Sequence, residues 1–298
     1  MIVCIAPTPA VDRLHVLDGP VVVGAIHRPR AVVAVAGGKG LNAARGAAHL
    51  GARVRAVAPL GGANGDWIEA RLQAAGLEVR RVDTAGEPRI CVSVAGEGQE
   101  LTEFYEGAPP LAPGEWDALE RAVGEAARGA SWVTLSGSVP PGAPADGMAR
   151  LIAAARRAGA KVALDARDDD LRAGIAAAPD LVKINEHEAR GLLGDGADVR
   201  ALRPAGGVAC ITRGAAGLEL ATEDAVLTAA PPVRGPYPVG CGDVTLGALV
   251  TALDAGAGWR EALALAAGAA AAAAEVPGAG ELDAARAREL AALVEIRA

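Results

Sequence analysis

The chain has 298 residues, 51% hydrophobic and 22% charged, with a formal net charge of -7 at pH 7. That balance belongs to a folded globular chain and excludes disorder on a large scale. No long Lys/Arg run interrupts the acidic balance, so a nucleic-acid partner, which demands a basic face, is not expected. Aromatic residues are only 2%, which leaves Ala, Val and Leu to build the core. Cys4, Cys91, Cys210 and Cys241 form no CxxC pair. The first three sit in apolar runs and read as buried thiols of a reducing compartment. His15, His27, His49 and His187 show no metal-ligand spacing. The start lacks a basic segment and does not read as a signal peptide. The longest apolar tract, Ala262 to Ala274, is too short to cross a membrane. The expected location is cytoplasmic, with no membrane partner.

In chain order, Ile2–Ala6 predicts a strand, Gly40–Leu50 a helix, Val54–Pro59 a strand and Trp67–Ala75 a helix. Trp116–Arg128 predicts a helix, Trp132–Ser136 a strand, Ala145–Ala158 a helix and Lys161–Asp165 a strand. Leu181–Ile184, Val208–Thr212 and Leu218–Ala221 follow as strands. Val244–Ala255 and Arg260–Ala274 are helical, and residues 277–282 turn the chain into a final helix. This alternation predicts an α/β fold whose mostly parallel sheet is covered on both faces. Residues 13–35 and 88–106 break the rhythm and alternate without a helical period. They predict antiparallel strands outside the main sheet, a small β lid over a site. No repeat, linker or clear domain cut is present, so residues 1–298 read as one domain.

Three segments carry the chemistry. In Pro238-Val-Gly-Cys-Gly-Asp, Gly240 and Gly242 precede a helix whose first turn holds Asp243. Backbone amides at such a helix start can hold the charge of a transferring phosphoryl group. Asp243 is placed to take a proton from an attacking hydroxyl, or else to cap the helix. In Ala36-Gly-Gly-Lys-Gly-Leu-Asn, a glycine turn opens a helix with Lys39 and Asn42 in its first residues. The GxxxxGK[ST] spacing is missing, so this is not a P-loop. It is either a plain turn or one wall of a polar ligand site. In Leu181-Val-Lys-Ile-Asn-Glu-His-Glu, a strand ends in Lys183 and Asn185, with Glu188 three residues on. Asn185 and Glu188 can approach a hydrated Mg²⁺ or form a capping box.

These segments, in this order, resemble the PfkB group of ribokinase-like carbohydrate kinases. Residues 36–45 match its first signature and 238–247 its second. Thr8-Pro-Ala-Val-Asp resembles the family's opening, Leu135-Ser-Gly-Ser-Val-Pro-Pro-Gly a segment of its phosphofructokinase and tagatose-6-phosphate kinase branch, and Ile211-Thr-Arg-Gly-Ala-Ala-Gly its nucleotide-side loop. The resemblance implies a three-layer α/β/α sandwich and transfer of the γ-phosphoryl of Mg·ATP to a sugar hydroxyl. It implies Asp243 as base and Gly240, Cys241 and Gly242 as an anion hole. Asp12, Gly37, Gly38, Lys39, Asn42 and Arg89 would meet the substrate. Lys183, Thr212, Gly214 and Gly217 would face ATP, with Asn185 and Glu188 near Mg²⁺. Arg89 matches an arginine that grips a substrate phosphate in this branch, the alternative being a surface arginine on the lid. A fructose or tagatose phosphate is therefore the expected acceptor, ahead of an unphosphorylated sugar or nucleoside, and a non-catalytic sugar sensor is the rival class. A homodimer through exposed lid edges is the expected assembly.

Some positions depart from the family pattern: Thr8, Ile184, Arg213, Pro238, Cys241, Val244 and the run Asp165-Ala-Arg-Asp-Asp-Asp. Cys241, at a helix start, is expected to carry a lowered thiol pKa. The alternative is a small residue standing in for Ala.

Overall fold

The computed structural model describes residues 1–298. Its elements begin with β1 (Ile2–Ile5), β2 (Ala10–Val16), β3 (Ala31–Gly37), α1 (Lys39–His49), β4 (Val54–Leu60), α2 (Gly62–Ala74) and β5 (Glu78–Asp83). The middle holds β6 (Arg89–Ala95), β7 (Thr102–Tyr105), α3 (Pro113–Ala126), β8 (Trp132–Ser136), α4 (Gly147–Arg157) and β9 (Lys161–Asp165). Next come α5 (Asp168–Ala176), β10 (Leu181–Asn185), α6 (Glu186–Leu193), β11 (Val208–Thr212), β12 (Leu218–Ala221) and β13 (Val226–Ala229). The chain closes with α7 (Cys241–Asp254), α8 (Trp259–Ala274), α9 (Ala284–Ala291) and β14 (Ile296–Arg297).

Ten strands form the main sheet, in the order β14-β13-β12-β11-β10-β9-β8-β1-β4-β5. From β11 to β5 every neighbouring pair is parallel. The other three strands join antiparallel at one edge. Alternation along β1 shows why helices cover both faces. Ile2 and Cys4 enter one apolar cluster with α1, α7, α8 and α9, while Val3 and Ile5 enter the other with α3 and α4. A strand buried on both sides reads as a continuous apolar run, as Ile2-Val-Cys-Ile does. No helix is long and apolar enough to cross a membrane.

The small sheet has the order β3-β2-β6-β7. Its outer pairs are antiparallel, but β2 and β6 run parallel, which corrects the expectation of antiparallel pairing throughout. The reason is topological. β2 leaves β1, and β6 leaves β5. Both are strands of the parallel sheet, so the two insertions depart from the same end and enter the small sheet in the same direction.

Helices α1 and α7 pack at unusually short range. A Cβ on Gly247 would lie 2.5 Å from the carbonyl oxygen of Ala43 and 3.1 Å from the amide of Ala47. Glycine at this crossing lets the two helix starts meet at the carboxyl ends of β1 and β10. Gly247→Ala is expected to destabilise the protein by about 1–3 kcal/mol through overpacking. Gly124 on α3 has open space around it, and Gly124→Ala should stabilise by about 0.5–1 kcal/mol through helix propensity. Urea unfolding of both variants checks this. A stabilising Gly247→Ala would mean that the crossing does not need glycine.

Candidate active site

The carboxyl ends of the parallel strands are where ligands gather in such sheets. Here those ends open into a cleft of about 1150 Å³ between the main sheet and the small sheet. Strand ends bring Lys183, Asn185 and Thr212 to its wall, with Gly214 beyond β11. The small sheet adds Asp12 and Arg89, and the starts of α1 and α7 add Gly38, Lys39, Asn42, Gly240, Cys241, Gly242 and Asp243. Glu188 comes from the first turn of α6. Fourteen of the sixteen expected site residues thus line one cleft. Gly37 stands behind it, where a Cβ would fall 2.1 Å from Oδ2 of Asp12, so glycine makes room for that carboxylate. Gly217 also lies outside the lining, at the turn that follows β11. Its φ is 107°, and a Cβ would fall 2.1 Å from the carbonyl oxygen of Ala229. Glycine is what the turn from β11 to β12 requires there.

Asp243 sits at the third position of α7, after Gly240 in the left-handed conformation at φ 79°. A Cβ at Gly240 would strike the 279–280 turn at 2.8–2.9 Å, so only glycine fits there. The amides of Gly240, Gly242 and Asp243 make no hydrogen bond within the chain. The amide of Cys241 donates to the carbonyl of Pro238 at 3.3 Å. The free donors of this helix start are therefore Gly240, Gly242 and Asp243, with Cys241 engaged elsewhere. They lie at the positive end of the α7 dipole, a ready anion site.

The Asp243 carboxylate is 8% exposed. Asn42 Nδ2 donates to its Oδ2 at 2.9 Å and also reaches Oδ2 of Asp12 at 3.4 Å. No other intramolecular donor reaches Asp243, which leaves acceptor capacity facing the cleft. The amide of Gly38 donates to Oδ2 of Asp12 at 3.1 Å. Burial and the nearby Asp165 carboxylate push Asp243 up to about 7, against the pull of Lys183 and Lys39.

Sequence reading did not assign Asp165 to the site, yet it organises the charges. It is fully buried at the end of β9. Lys183 Nζ meets one carboxylate oxygen at 2.6 Å and Lys39 Nζ the other at 2.9 Å. Burial opposes its charge, but the two ammonium groups prevail and hold its pKa below the usual range. Lys39 also reaches Oε1 of Glu188 at 2.6 Å. Burial works against Lys39 too, and the facing carboxylates outweigh it and raise its pKa. Asn185 and Glu188 form the capping box of α6, with both hydrogen bonds at 2.9 Å. Arg89 gives one hydrogen bond to the carbonyl of Glu106 at 3.1 Å, and its buried Nε has no partner.

Cys241 departs from expectation. Burial and the Asp243 carboxylate push its thiol up to about 12, so the helix dipole does not make it a reactive thiolate. Its Sγ points to the carbonyl of Tyr237 at 3.5 Å. Cys4, Cys91 and Cys210 are buried free thiols, as their apolar runs predict.

The raised Asp243 pKa has a stability consequence. The folded protein binds this proton more tightly than the unfolded chain, whose carboxyl keeps the ordinary value of 3.8. The stability that the proton confers is complete below about pH 4 and is lost as pH rises through about 7. Asp243→Asn keeps the shape without the charge. It should melt above wild type at about pH 8, and the gap should close toward about pH 4. Calorimetry at both pH values checks this, and a pH-independent gap would contradict it.

The profile of the family described as pfkB family carbohydrate kinase matches residues 2–285. The 1-phosphofructokinase of Rhodobacter capsulatus is 31% identical over 277 residues, covering 86% of this chain and 85% of its own. The ATP-dependent 6-phosphofructokinase isozyme 2 of Escherichia coli K12 is 32% identical over 243 residues, covering 76% of this chain and 77% of its own. The solved phosphofructokinase-2 of Escherichia coli in complex with substrates and products superposes with a TM-score of 0.88 at 26% identity, covering 98% of each chain. Ribokinase-like architecture, cleft and sequence agree: the chain belongs to the pfkB family of carbohydrate kinases and is an ATP-dependent sugar kinase.

Proposed function

We propose that this kinase phosphorylates a hydroxyl of a sugar phosphate of the fructose 1-phosphate, fructose 6-phosphate or tagatose 6-phosphate type, with Asp243 as the base. The observation that carries the reading is a buried carboxylate with spare acceptor capacity beside three unpaired amides at one helix start. In this reading an acceptor hydroxyl gives its proton to Asp243 as its oxygen attacks the γ-phosphorus. A pKa near 7 suits a base working at neutral pH, because the deprotonated form is populated and still basic. The amides of Gly240, Gly242 and Asp243 stabilise the charge that spreads over the transferred group. Asp12, Asn42 and the Gly38 turn hold sugar hydroxyls. Lys183, Thr212 and Gly214 line the nucleotide side.

Arg89 supports a phosphorylated acceptor. An arginine in the cleft with a buried, unpartnered Nε is suited to a bidentate anion and has no use for a neutral sugar. Lys39 can add charge to the same region. No cluster of three or more His, Cys, Asp or Glu side chains able to hold a metal ion is present. Both Glu188 oxygens already accept hydrogen bonds, from Lys39 and the Asn185 amide. This arrangement fits a hydrated Mg²⁺ carried by the triphosphate and held through water by Asn185 and Glu188. When bound, the ion supplies charge neutralisation on the phosphate oxygens.

The small sheet would act as a lid that keeps water from the nucleotide. Its outer side exposes Val32 and Phe104, and the segment joining β2 to β3 exposes Val23 and Ile26, which fits a homodimer through this sheet.

A panel of sugar phosphates and their unphosphorylated counterparts tests the reading, with each product's new phosphate assigned by NMR. Turnover is expected with a ketohexose phosphate. Arg89→Ala should weaken that acceptor by about tenfold to a hundredfold, the worth of a charge-assisted hydrogen bond, and leave the KM for ATP nearly unchanged. Preferred turnover of a neutral sugar, with Arg89→Ala harmless, would sink the proposal in favour of a kinase of unphosphorylated sugars.

A further inference from the structure

The Asn42 side chain bears on both carboxylates of the cleft. Its Nδ2 serves Asp243 and Asp12, as described above. The two ends of an amide are alike in shape, and only one of them carries protons. Reversed, Asn42 would turn an acceptor oxygen toward two carboxylates. Something must hold it the right way round.

Arg45 stands one turn further along α1, 4% exposed. Its Nη2 donates to Asn42 Oδ1 at 2.9 Å, which fixes the oxygen away from Asp243. The same nitrogen donates to the carbonyl of Ala279, and Nη1 pairs with Oε1 of Glu281 at 2.5 Å. His49 holds the other Glu281 oxygen at 3.1 Å. These acceptors belong to the turn between α8 and α9. That turn touches the site a second time, because a Cβ on Gly240 would meet Ala279 and Gly280 at 2.8–2.9 Å. One guanidinium thus ties the Asn42 amide to the turn that backs the anion-binding glycines.

We infer that Arg45 is a positioning residue: its fork, anchored on the 278–281 turn, locks the Asn42 amide with Nδ2 toward Asp243 and Asp12. It touches neither substrate nor nucleotide and acts through Asn42. The inference rests on Asp243 acting as the base. The charged and titratable groups around Asp243 are Asp165 on β9, Lys183 on β10, Lys39 and Arg45 on α1, and Cys241 on its own helix. Asp12 on β2 lies across Asn42.

Arg45→Lys is the variant of choice. It keeps the positive charge, and a single ammonium cannot serve Asn42, Ala279 and Glu281 together. The expected result is a kcat lower by about tenfold to a hundredfold, with the KM for ATP within about threefold. The acidic limb of the kcat profile should move up by about one pH unit as Asp243 loses its oriented donor. In an Asn42→Ala background the same substitution should change kcat by less than about threefold. An unchanged kcat and limb, or effects of the two substitutions that multiply, would overturn the inference. If Arg45→Lys does not fold, Glu281→Gln loosens the same fork and must move kcat and the limb in the same direction. Asp243→Asn, run alongside, separates the two levels. If it stays active, the base reading fails. If it is inactive while the Arg45 and Glu281 variants behave as wild type, only the role of Arg45 fails.

Discussion

The cleft holds a carboxylate buried where burial opposes its charge, and the structure around it answers that constraint. Asp243 lies at the amino end of α7, with Asp165 close behind it and only one side-chain donor, Asn42, in contact. Full compensation by a salt bridge would hold its proton affinity low and leave a weak base. Leaving it uncompensated would favour the protonated form at neutral pH. The observed arrangement lies between these limits. Lys39 and Lys183 spend their direct contacts on Asp165 and act on Asp243 from a distance. Asp165 is therefore the paired, structural acid and Asp243 the unpaired, responsive one. Two carboxylates in one site take different roles because their partners differ.

Such a cluster cannot hold itself together. Buried ion pairs contribute little net stability, and removing one partner is strongly destabilising. The geometry comes from the apolar clusters on either face of the main sheet and from the short α1–α7 crossing at Gly247. That crossing sets the distance from Asn42 to Asp243. Strand ends then deliver Asp165, Lys183 and Thr212 from three successive parallel strands, so their spacing is that of the sheet. The lysine from the glycine turn bridges to the acids of β9 and α6 and spans the cleft floor.

Much of this was legible in the chain. The strands Trp132–Ser136, Lys161–Asp165, Val208–Thr212 and Leu218–Ala221 are apolar runs buried on both faces, and their bounds agree with the sequence reading. The glycine turns before α1 and α7 were legible because close backbone approach requires glycine. β5 was missed because Glu78-Val-Arg-Arg-Val-Asp is an edge strand with charged side chains on its exposed positions. The parallel pairing of β2 with β6 depends on where distant strands end, which no local pattern records. Asp165 could have been found from its place at a strand's carboxyl end, the rule that pointed to Lys183 and Asn185. Arg45 had no such signal, since two of its three partners lie more than two hundred residues away, at 279 and 281. Cys241 misled because the helix start favours a thiolate, whereas burial and a neighbouring carboxylate oppose it more strongly.

The central claim is that Asp243 removes the acceptor's proton. Single-turnover phosphorylation by Asp243→Asn, with nucleotide binding measured in parallel, tests it most directly. The account predicts a rate lower by about 10²- to 10⁴-fold, the usual worth of a general base, with ATP affinity nearly intact. A rate within about tenfold of wild type would contradict it, because the amides alone would then be supporting the reaction.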